Sequence, residues 1–265
     1  MSFIEALLLG LIQGVTEFLP VSSSGHLTLF GRIFAIDEAA MLSLATLLHV
    51  GTLISVFAVM RREIGAILRD IFAKKTWLLL VATVPAVLAA LLLGDWIDRL
   101  FGGGMLGYSF LATAVILCIS LLWRRKSDPD REIGYPEALI GGIGQAVAIV
   151  PGISRSGTTI TALMLSGIQR EKAIRFSFLM AIPVILGGFL LDLFKLIKGG
   201  GAALLDLGIG NVIAGVLAAA ISGYLVMEFM LRKLNRRGFL YCAIYVAILG
   251  VLVLIDQNLT HFIFV

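Results

Sequence analysis

The chain has 265 residues, of which 59% are hydrophobic and only 14% are charged, whereas roughly a quarter of the residues in an average soluble domain are charged. This composition excludes an ordinary soluble domain and indicates an integral membrane protein. The formal net charge of +4 does not indicate nucleic-acid binding, because Lys and Arg in a membrane protein concentrate in cytoplasmic loops.

The first apolar segment, residues 3–36, is interrupted near its middle. The stretch GVTEFLPVSSSGH, residues 14–26, brings a carboxylate, a proline, three serines and a histidine into an otherwise apolar sequence. No basic region precedes the apolar N-terminus, so we do not expect a cleaved signal peptide. Irregular backbone at membrane depth is tolerated only where protein or a water-filled cavity satisfies its polar groups. The segment is therefore predicted to be a re-entrant helix pair that lines a cavity.

Three uninterrupted apolar runs follow, and each is long enough for a transmembrane helix, which needs about 20 residues. They lie near 43–60, 77–93 and 106–123. A second interrupted segment, residues 137–168, is predicted to be another re-entrant pair, because Pro, Gly and Ser break it near its middle. Three further runs bring the predicted spans to six. They lie near 176–194, 210–231 and 239–256.

Basic residues are distributed unevenly between the two ends of these spans. If the first span runs from outside to inside, 16 Lys and Arg residues lie on the cytoplasmic side and 4 on the other, with Arg155 set aside because it lies in the second broken segment. The cytoplasmic clusters fall at 61–75, 124–131, 170–175 and 232–237. This asymmetry predicts which loops are cytoplasmic, and it places both termini outside.

The chain repeats itself at an offset of 132 residues. Residues 5–25 align with residues 137–157, and nine of these 21 positions are identical. The same offset carries the first three spans onto the last three. Because three spans separate the broken segments, the two copies, residues 1–126 and 133–265, are predicted to enter the membrane from opposite faces. The predicted fold is thus an all-α polytopic membrane domain with six transmembrane helices and two re-entrant helix pairs in an inverted-topology repeat.

The two breaks are predicted to meet near the middle of the membrane, as broken helices do in inverted repeats. The sequences SSSGH and SRSGT each precede a helical run, so two helix N-termini would present free N–H groups to an anion. The first copy contributes Glu17 and His26, and the second has Arg155 where the first has Ser23. The predicted site therefore combines an acid, a candidate proton-transfer group and a guanidinium.

Arg155 indicates that the site binds phosphate, because a planar guanidinium can hold a phosphate group with two parallel hydrogen bonds. A charge at the membrane centre costs at least about 2.5–3.5 kcal/mol on insertion scales, so Arg155 requires an anionic partner, either Glu17 or a ligand phosphate. The other expected phosphate contacts are Ser22, Ser24, Gly152, Ser156, Thr158 and Thr159. Gln13 and Glu17 lie one helical turn apart on one face, and their oxygen atoms suit a hard divalent cation, Mg²⁺ or Ca²⁺.

Each of these residues also has a structural interpretation. The Arg155–Glu17 pair could be a bridge, the Ser and Thr hydroxyls could be helix caps, and His26 could be an ordinary hydrogen-bonded group. His49 lies inside a span and outside the repeated motifs, so it is predicted to be structural. The functional interpretation is favoured because two polar breaks with complementary charges occur at one repeat offset.

The two motifs resemble those of the undecaprenyl-diphosphate phosphatase family of bacterial cell-wall synthesis, the type linked to bacitracin resistance, over essentially the whole chain. The family's first motif matches Gln13, Glu17, residues 18–23, Gly25 and His26, and its second, PGxSRSxxT, matches residues 151–159. The resemblance implies that the enzyme removes the terminal phosphate of a C55 polyprenyl diphosphate with help from a divalent cation. It also implies a site that opens to the outer leaflet of the bacterial cytoplasmic (inner) membrane.

In this interpretation Arg155 holds the transferring phosphoryl group, and Glu17 with Gln13 positions the cation. The nucleophile is Ser23, Ser154 or water, activated by His26 as a base. The expected partners are a lipid diphosphate and the membrane, with a homo-oligomer allowed and no nucleic acid. The alternative is a flippase that carries a lipid phosphate across the bilayer, alone or as a second activity, since broken helices in inverted repeats are above all a transporter architecture. Ser23 and His26 favour the phosphatase, because a flippase needs neither a nucleophile nor a base.

Overall fold

The computed structural model describes residues 1–100, 103–122, 130–198 and 207–264. Within these ranges the chain forms eleven α-helices and one π-helical turn, and it contains no β-strand. The helices are α1 (Phe3–Phe18), α2 (Ser23–Ile33), α3 (Glu38–Val59), α4 (Arg61–Arg69), α5 (Lys74–Leu100), α6 (Leu106–Leu122), α7 (Tyr135–Val147), α8 (Arg155–Leu165), α9 (Arg170–Lys198), α10 (Ile209–Lys233) and α11 (Arg236–Ile255). The π-helical turn, Asp256–Thr260, continues α11.

Five of these helices, α3, α5, α9, α10 and α11, are long and apolar enough to cross a membrane. α6 is apolar along its 17 residues but is shorter than the other five. These six helices coincide with the six apolar runs of the sequence. They also carry large apolar side chains on their surfaces, for example Leu91, Leu92 and Leu122, each at least 74% exposed. Because soluble proteins rarely expose extended apolar surfaces, the all-helical, multi-pass membrane character predicted from the sequence is confirmed.

Two sequence-based predictions fall partly outside the described residues. Arg124, Arg125 and Lys126 of the predicted basic cluster at 124–131 lie there. The predicted end of the first copy at residue 126 and the last residue of the second copy, Val265, also lie outside the described ranges.

Each broken segment consists of two short helices joined by an irregular stretch. α1 and α2 have 16 and 11 residues, and α7 and α8 have 13 and 11. None of them reaches the roughly 20 residues that a spanning helix needs. Pro20 and Pro151 lie in the two breaks. Proline ends a helix because it lacks an N–H group and disfavours helical backbone at the residue before it.

A serine at the aligned position caps the second helix of each pair. Ser22 Oγ accepts a hydrogen bond from the Gly25 N–H at 3.3 Å, and Ser154 Oγ accepts one from the Gly157 N–H at 3.0 Å. Each cap satisfies one of the N–H groups left free at a helix N-terminus. α2 and α8 therefore begin at aligned positions of the two copies.

Glycines bring the first helix of each pair close to a long helix from the other half of the chain. α1 packs against α10, and α7 packs against α5. A Cβ atom on Gly10 would lie 2.2 Å from the carbonyl oxygen of Gly215, and one on the aligned Gly142 would lie 2.6 Å from the carbonyl oxygen of Ala82. Small residues allow helix backbones to approach this closely. The two glycines thus allow the short separation between each broken segment and its neighbouring helix.

Replacing Gly10 with alanine is expected to destabilise the protein by roughly 1–3 kcal/mol, because the added methyl group would push α1 away from α10. The control is Gly65→Ala in α4, where a Cβ atom meets nothing within 4 Å. That change should leave stability unchanged or raise it slightly, since alanine favours the helix. Thermal unfolding of both variants in detergent tests the expectation. Equal melting temperatures would show that the crossing of α1 and α10 tolerates a wider separation.

Candidate active site

The carboxylate of Glu17, near the C-terminal end of α1, is the centre of a polar cluster. Glu17 is only 6% exposed. Its Oε1 accepts a hydrogen bond from Arg155 Nη2 at 2.6 Å. Its Oε2 accepts one from the Ser23 hydroxyl at 2.6 Å and one from the Gln13 side-chain amide at 3.2 Å. The two broken segments therefore meet at this carboxylate.

The positions of these side chains follow from the local helix geometry. Gln13 and Glu17 are four residues apart, so they share one face of α1. Ser23 and Arg155 are the first residues of α2 and α8, and they occupy aligned positions of the repeat. Two helix N-termini thus approach Glu17 from opposite breaks, and their free N–H groups and dipoles favour a negative charge between them.

Arg155 has a second protein partner that the sequence did not indicate. Its Nη1 donates a hydrogen bond to the carbonyl oxygen of Ser177 in α9 at 3.3 Å. The Ser177 hydroxyl in turn forms a 2.6 Å hydrogen bond with the Thr159 hydroxyl. The guanidinium is therefore oriented by α1 and α9 together. Within the part of the chain that the structure describes, two of its five N–H groups have these protein partners, so the guanidinium has further donors with which it could bond a ligand.

His49 also lies at the carboxylate, although the sequence predicted a structural role for it. Its Nε2 is 3.5 Å from Glu17 Oε2. Its Nδ1 lies 2.7 Å from the Ala45 carbonyl oxygen, and because a carbonyl only accepts, Nδ1 carries a proton. Nε2 therefore faces Glu17 either as a second N–H donor or as a lone pair that a bridging group must share. The available signal was a polar side chain inside an apolar span, since such residues usually face the protein interior.

His26 lies in the first turn of α2 and is hydrogen-bonded at both ring nitrogens. Its Nδ1 donates to the Ser22 carbonyl oxygen at 2.6 Å, and its Nε2 accepts from the Tyr245 hydroxyl at 2.7 Å. The residue is 2% exposed. Both ring nitrogens are thus engaged with partners other than Ser23, whose hydroxyl is bonded to Glu17. The sequence offered two weak signals for Tyr245, its polar end within an apolar run and its alignment with the polar Thr113 at the repeat offset.

Ser24 and Ser156, two of the expected phosphate contacts, hold the breaks to each other. The Ser156 hydroxyl donates to the Leu19 carbonyl oxygen at 3.0 Å. In the opposite direction, the Gly152 N–H donates to Ser24 Oγ at 3.4 Å. These serines occupy aligned positions, so each copy bonds the break of the other with the same residue.

Thr158, Thr159 and Ser154 make local contacts at the start of α8. The Thr158 hydroxyl donates to the Ser154 carbonyl oxygen at 2.8 Å, and the Thr159 hydroxyl donates to the Arg155 carbonyl oxygen at 2.8 Å. Ser154 is 1% exposed, and its hydroxyl caps α8, whereas Ser23 is partly exposed. Of the two candidate nucleophiles, Ser23 alone is hydrogen-bonded to a carboxylate among the described residues.

The Gln13 side chain supplies the test of whether the site suits a cation. Gln13 is fully buried, and its Oε1 has no hydrogen-bond partner among the described residues. No group of three His, Cys, Asp or Glu side chains in the described ranges could hold a metal ion. A cation here would have one carboxylate and one amide oxygen from the protein. This small donor set fits the way Mg²⁺ is commonly held, by one or two carboxylates with water and substrate phosphates completing the shell.

Comparison with known proteins gives full-length matches. The family described as bacitracin resistance protein BacA matches residues 6–252. An undecaprenyl-diphosphatase of Carboxydothermus hydrogenoformans is 39% identical over 258 residues, which cover 97% of this chain and 98% of the relative. Undecaprenyl-diphosphatase 3 of Bacillus cereus is 38% identical over 258 residues, covering 97% and 98%. An undecaprenyl-diphosphatase of Bacteroides fragilis is 38% identical over 268 residues, covering 98% and 100%.

Proposed function

The chain belongs to the bacitracin resistance protein BacA family, and from that membership and the site geometry we propose that it hydrolyses undecaprenyl diphosphate to undecaprenyl phosphate and inorganic phosphate. The observation that carries the proposal is the contact of Glu17 with both Ser23 and Arg155. It joins a hydroxyl nucleophile, a proton acceptor and a phosphate-binding guanidinium in one hydrogen-bonded group. The reaction would recycle the lipid carrier for peptidoglycan synthesis and confer bacitracin resistance.

The terminal phosphate would enter between the N-termini of α2 and α8, where N–H groups and Arg155 offset its charge. Ser23 Oγ then bonds to the terminal phosphorus as the bond from phosphorus to the bridging oxygen breaks, and undecaprenyl phosphate leaves. The Ser23 proton passes to Glu17 Oε2, which already accepts its hydrogen bond. The oxygen of a water molecule next bonds to the phosphorus of the phosphoserine as the bond from phosphorus to Ser23 Oγ breaks. Glu17 returns its proton to Ser23 Oγ, and both hydrogens of the water leave with the inorganic phosphate as H₂PO₄⁻.

Gln13 and Glu17 are the residues that would hold a divalent cation, Mg²⁺ or Ca²⁺. The support is the buried Gln13 Oε1 without a partner, one helical turn from the carboxylate. When bound, the cation would offset negative charge on the diphosphate oxygens. His49 Nε2 lies 3.5 Å from Glu17 Oε2, and as an N–H donor it would help to orient this carboxylate.

The proposed topology is an inverted repeat of six spans and two re-entrant pairs, in which α6 is the third span. Three sets of aligned contacts support it: the close-packed Gly10 and Gly142, the capping Ser22 and Ser154, and the reciprocal Ser24 and Ser156. The distribution of basic residues, 16 against 4, supports the assignment of the cytoplasmic loops. The proposal that the site opens to the outer leaflet of the bacterial cytoplasmic membrane rests on the family resemblance.

Phosphate release from polyprenyl diphosphate by the purified protein in detergent tests the proposed function. A flippase would bind the substrate there but release no phosphate, because detergent micelles offer no second leaflet. The assay is run with Mg²⁺, with Ca²⁺ and with a chelator. An absence of release under every cation condition would contradict hydrolysis and favour lipid transport.

Ser154→Ala separates the two candidate nucleophiles. It should lower stability by about 1 kcal/mol through loss of the α8 cap, and leave turnover within about threefold of the wild type. Ser23→Ala should lower turnover by about 100-fold, with residual activity from water that Glu17 activates directly. Phosphate release and melting temperature are measured for both. The opposite ranking of the two turnover losses would make Ser154 the nucleophile.

A further inference from the structure

Tyr245 in α11 and Thr113 in α6 occupy aligned positions of the two copies, 132 residues apart, and each is linked by hydrogen bonds to one of the breaks. Thr113 bonds the second break directly. Its hydroxyl donates to the Gly152 carbonyl oxygen at 3.0 Å and accepts from the Ser154 N–H at 3.0 Å. Tyr245 reaches the first break through His26. The same position of the repeat thus supports the backbone of each break. Thr113 supports the second break directly, and Tyr245 supports the first through the imidazole of His26.

The hydrogen bonds of His26 have a defined direction. Because the Ser22 carbonyl oxygen only accepts, the 2.6 Å contact requires a proton on His26 Nδ1. In the neutral ring Nε2 then carries no proton and can only accept, so the Tyr245 hydroxyl donates this hydrogen bond to Nε2. The two rings are also stacked, with centroids 5.6 Å apart and planes 16° apart, while Phe110 meets the imidazole edge-on. The imidazole is therefore held in one tautomer and one orientation.

This support coincides with an unusual backbone at Ser22. Its φ of 72° and ψ of 100° lie where residues other than glycine are uncommon, whereas the aligned Ser154 has an ordinary φ of −73° and ψ of 117°. The Ser22 carbonyl oxygen accepts both from His26 Nδ1 at 2.6 Å and from the His26 N–H at 3.2 Å. A strained backbone persists only when its surroundings hold it. The next residue is Ser23, whose hydroxyl this conformation places on Glu17.

We propose that Tyr245 is a positioning residue for the phosphatase reaction: through His26 it holds the Ser22 carbonyl, and with it the Ser23 hydroxyl, in the reactive arrangement at Glu17. The role rests on the proposed function. Tyr245 has no hydrogen bond to Arg155 or Glu17 among the described residues, so it acts on turnover and not on phosphate binding. Its hydroxyl carries this role, because the stacked ring alone cannot donate to Nε2.

The test compares Tyr245→Phe with Tyr241→Phe. Tyr241 lies one turn earlier on the same helix and is 66% exposed, so it controls for loss of a tyrosine hydroxyl from α11. Tyr245→Phe should lower kcat about tenfold and change KM by less than about twofold, since only the orientation of the nucleophile changes. Tyr241→Phe should leave both constants unchanged. In a His26→Ala background, Tyr245→Phe should cause no further loss, because the proposed route to Ser23 through His26 is absent.

A measurement on the folded protein without substrate accompanies the kinetics. In ¹⁵N-histidine-labelled protein, the Nε2 resonance of His26, assigned by its loss in His26→Ala, should shift in Tyr245→Phe and stay in place in Tyr241→Phe. Wild-type protein that releases no phosphate would refute the proposed function, while the resonance would still decide whether Tyr245 holds His26. Active wild type with equal kcat in the two tyrosine variants, or independent losses in the double variant, would overturn the positioning role.

Discussion

Glu17→Gln is expected to lower the turnover of polyprenyl diphosphate by about 1,000-fold, within the range usual for loss of a general base. The substitution keeps the size of the side chain and leaves an oxygen to accept the Ser23 hydrogen bond. A neutral amide oxygen is far too weak a base to take the Ser23 proton. The variant also removes the anionic partner of Arg155, which lies 2.6 Å away, so its melting temperature should fall as well. Turnover is therefore measured per folded molecule.

Glu137→Gln is the matched control for this experiment. Glu137 is a buried carboxylate at the start of α7, and it accepts a hydrogen bond from Arg131 Nη2 at 2.7 Å. Its replacement breaks an ion pair of similar length without touching the candidate site. We expect that variant to lose stability and to retain wild-type turnover per folded molecule. If Glu17→Gln behaved in the same way, Glu17 would be a structural residue and the proposed proton transfer would be wrong.

The helices could largely be predicted from the sequence because spanning length and proline position leave few alternatives. Five long apolar runs are helices of spanning length, and both broken segments are short helices separated at Pro20 and Pro151. α4 was not predicted. It is a nine-residue amphipathic helix, Arg61–Arg69, and its basic residues had been assigned only to a cytoplasmic loop. A short helix of this kind has too few apolar residues to stand out in a search for spans.

The meeting of Glu17 and Arg155 could be anticipated from the repeat, because aligned breaks with complementary charges are expected to come together in an inverted fold. The contact of Ser23 with Glu17 could not, since the sequence favoured His26 as the base for Ser23. His49, Ser177 and Tyr245 could not be placed this way. Each lies in a long helix, and its contact depends on the rotation and depth at which that helix packs. The offset nevertheless contained one usable clue, since Tyr245 is aligned with Thr113, which is also polar in an apolar run.

The hydroxyl groups show a different limit of sequence reasoning. A serine at a helix N-terminus can bond a phosphate or a backbone N–H or carbonyl group, and its spacing is the same in each case. Ser24 and Ser156 were expected to contact phosphate, and in the structure they bond the opposite break. Only the three-dimensional partner distinguishes the two uses. The Ser23 hydroxyl differs because its partner is a carboxylate.

Arg155→Lys is expected to lower turnover by about 1,000-fold while the protein remains folded, since arginine contacts to a transferring phosphoryl group contribute at least this much in related chemistry. Lysine keeps the charge and can still pair with Glu17. It cannot bond Glu17, the Ser177 carbonyl oxygen and a phosphate at once from separate nitrogens, as the guanidinium can. Arg155→Ala removes the charge as well, so it should also destabilise the protein, by on the order of 3–5 kcal/mol.

Arg131→Lys controls for the exchange itself, because Arg131 also pairs with a glutamate, Glu137, through Nη2. That variant should keep wild-type turnover. Phosphate release and melting temperature in detergent are measured for all three variants.

A structural bridge needs only a positive charge beside Glu17, so it would leave Arg155→Lys close to the wild type in both measurements. A phosphate clamp needs the separated donors of the guanidinium, so Arg155→Lys should lose turnover and keep its melting temperature. Near-normal phosphate release by Arg155→Lys would reduce Arg155 to a bridge between the two broken segments.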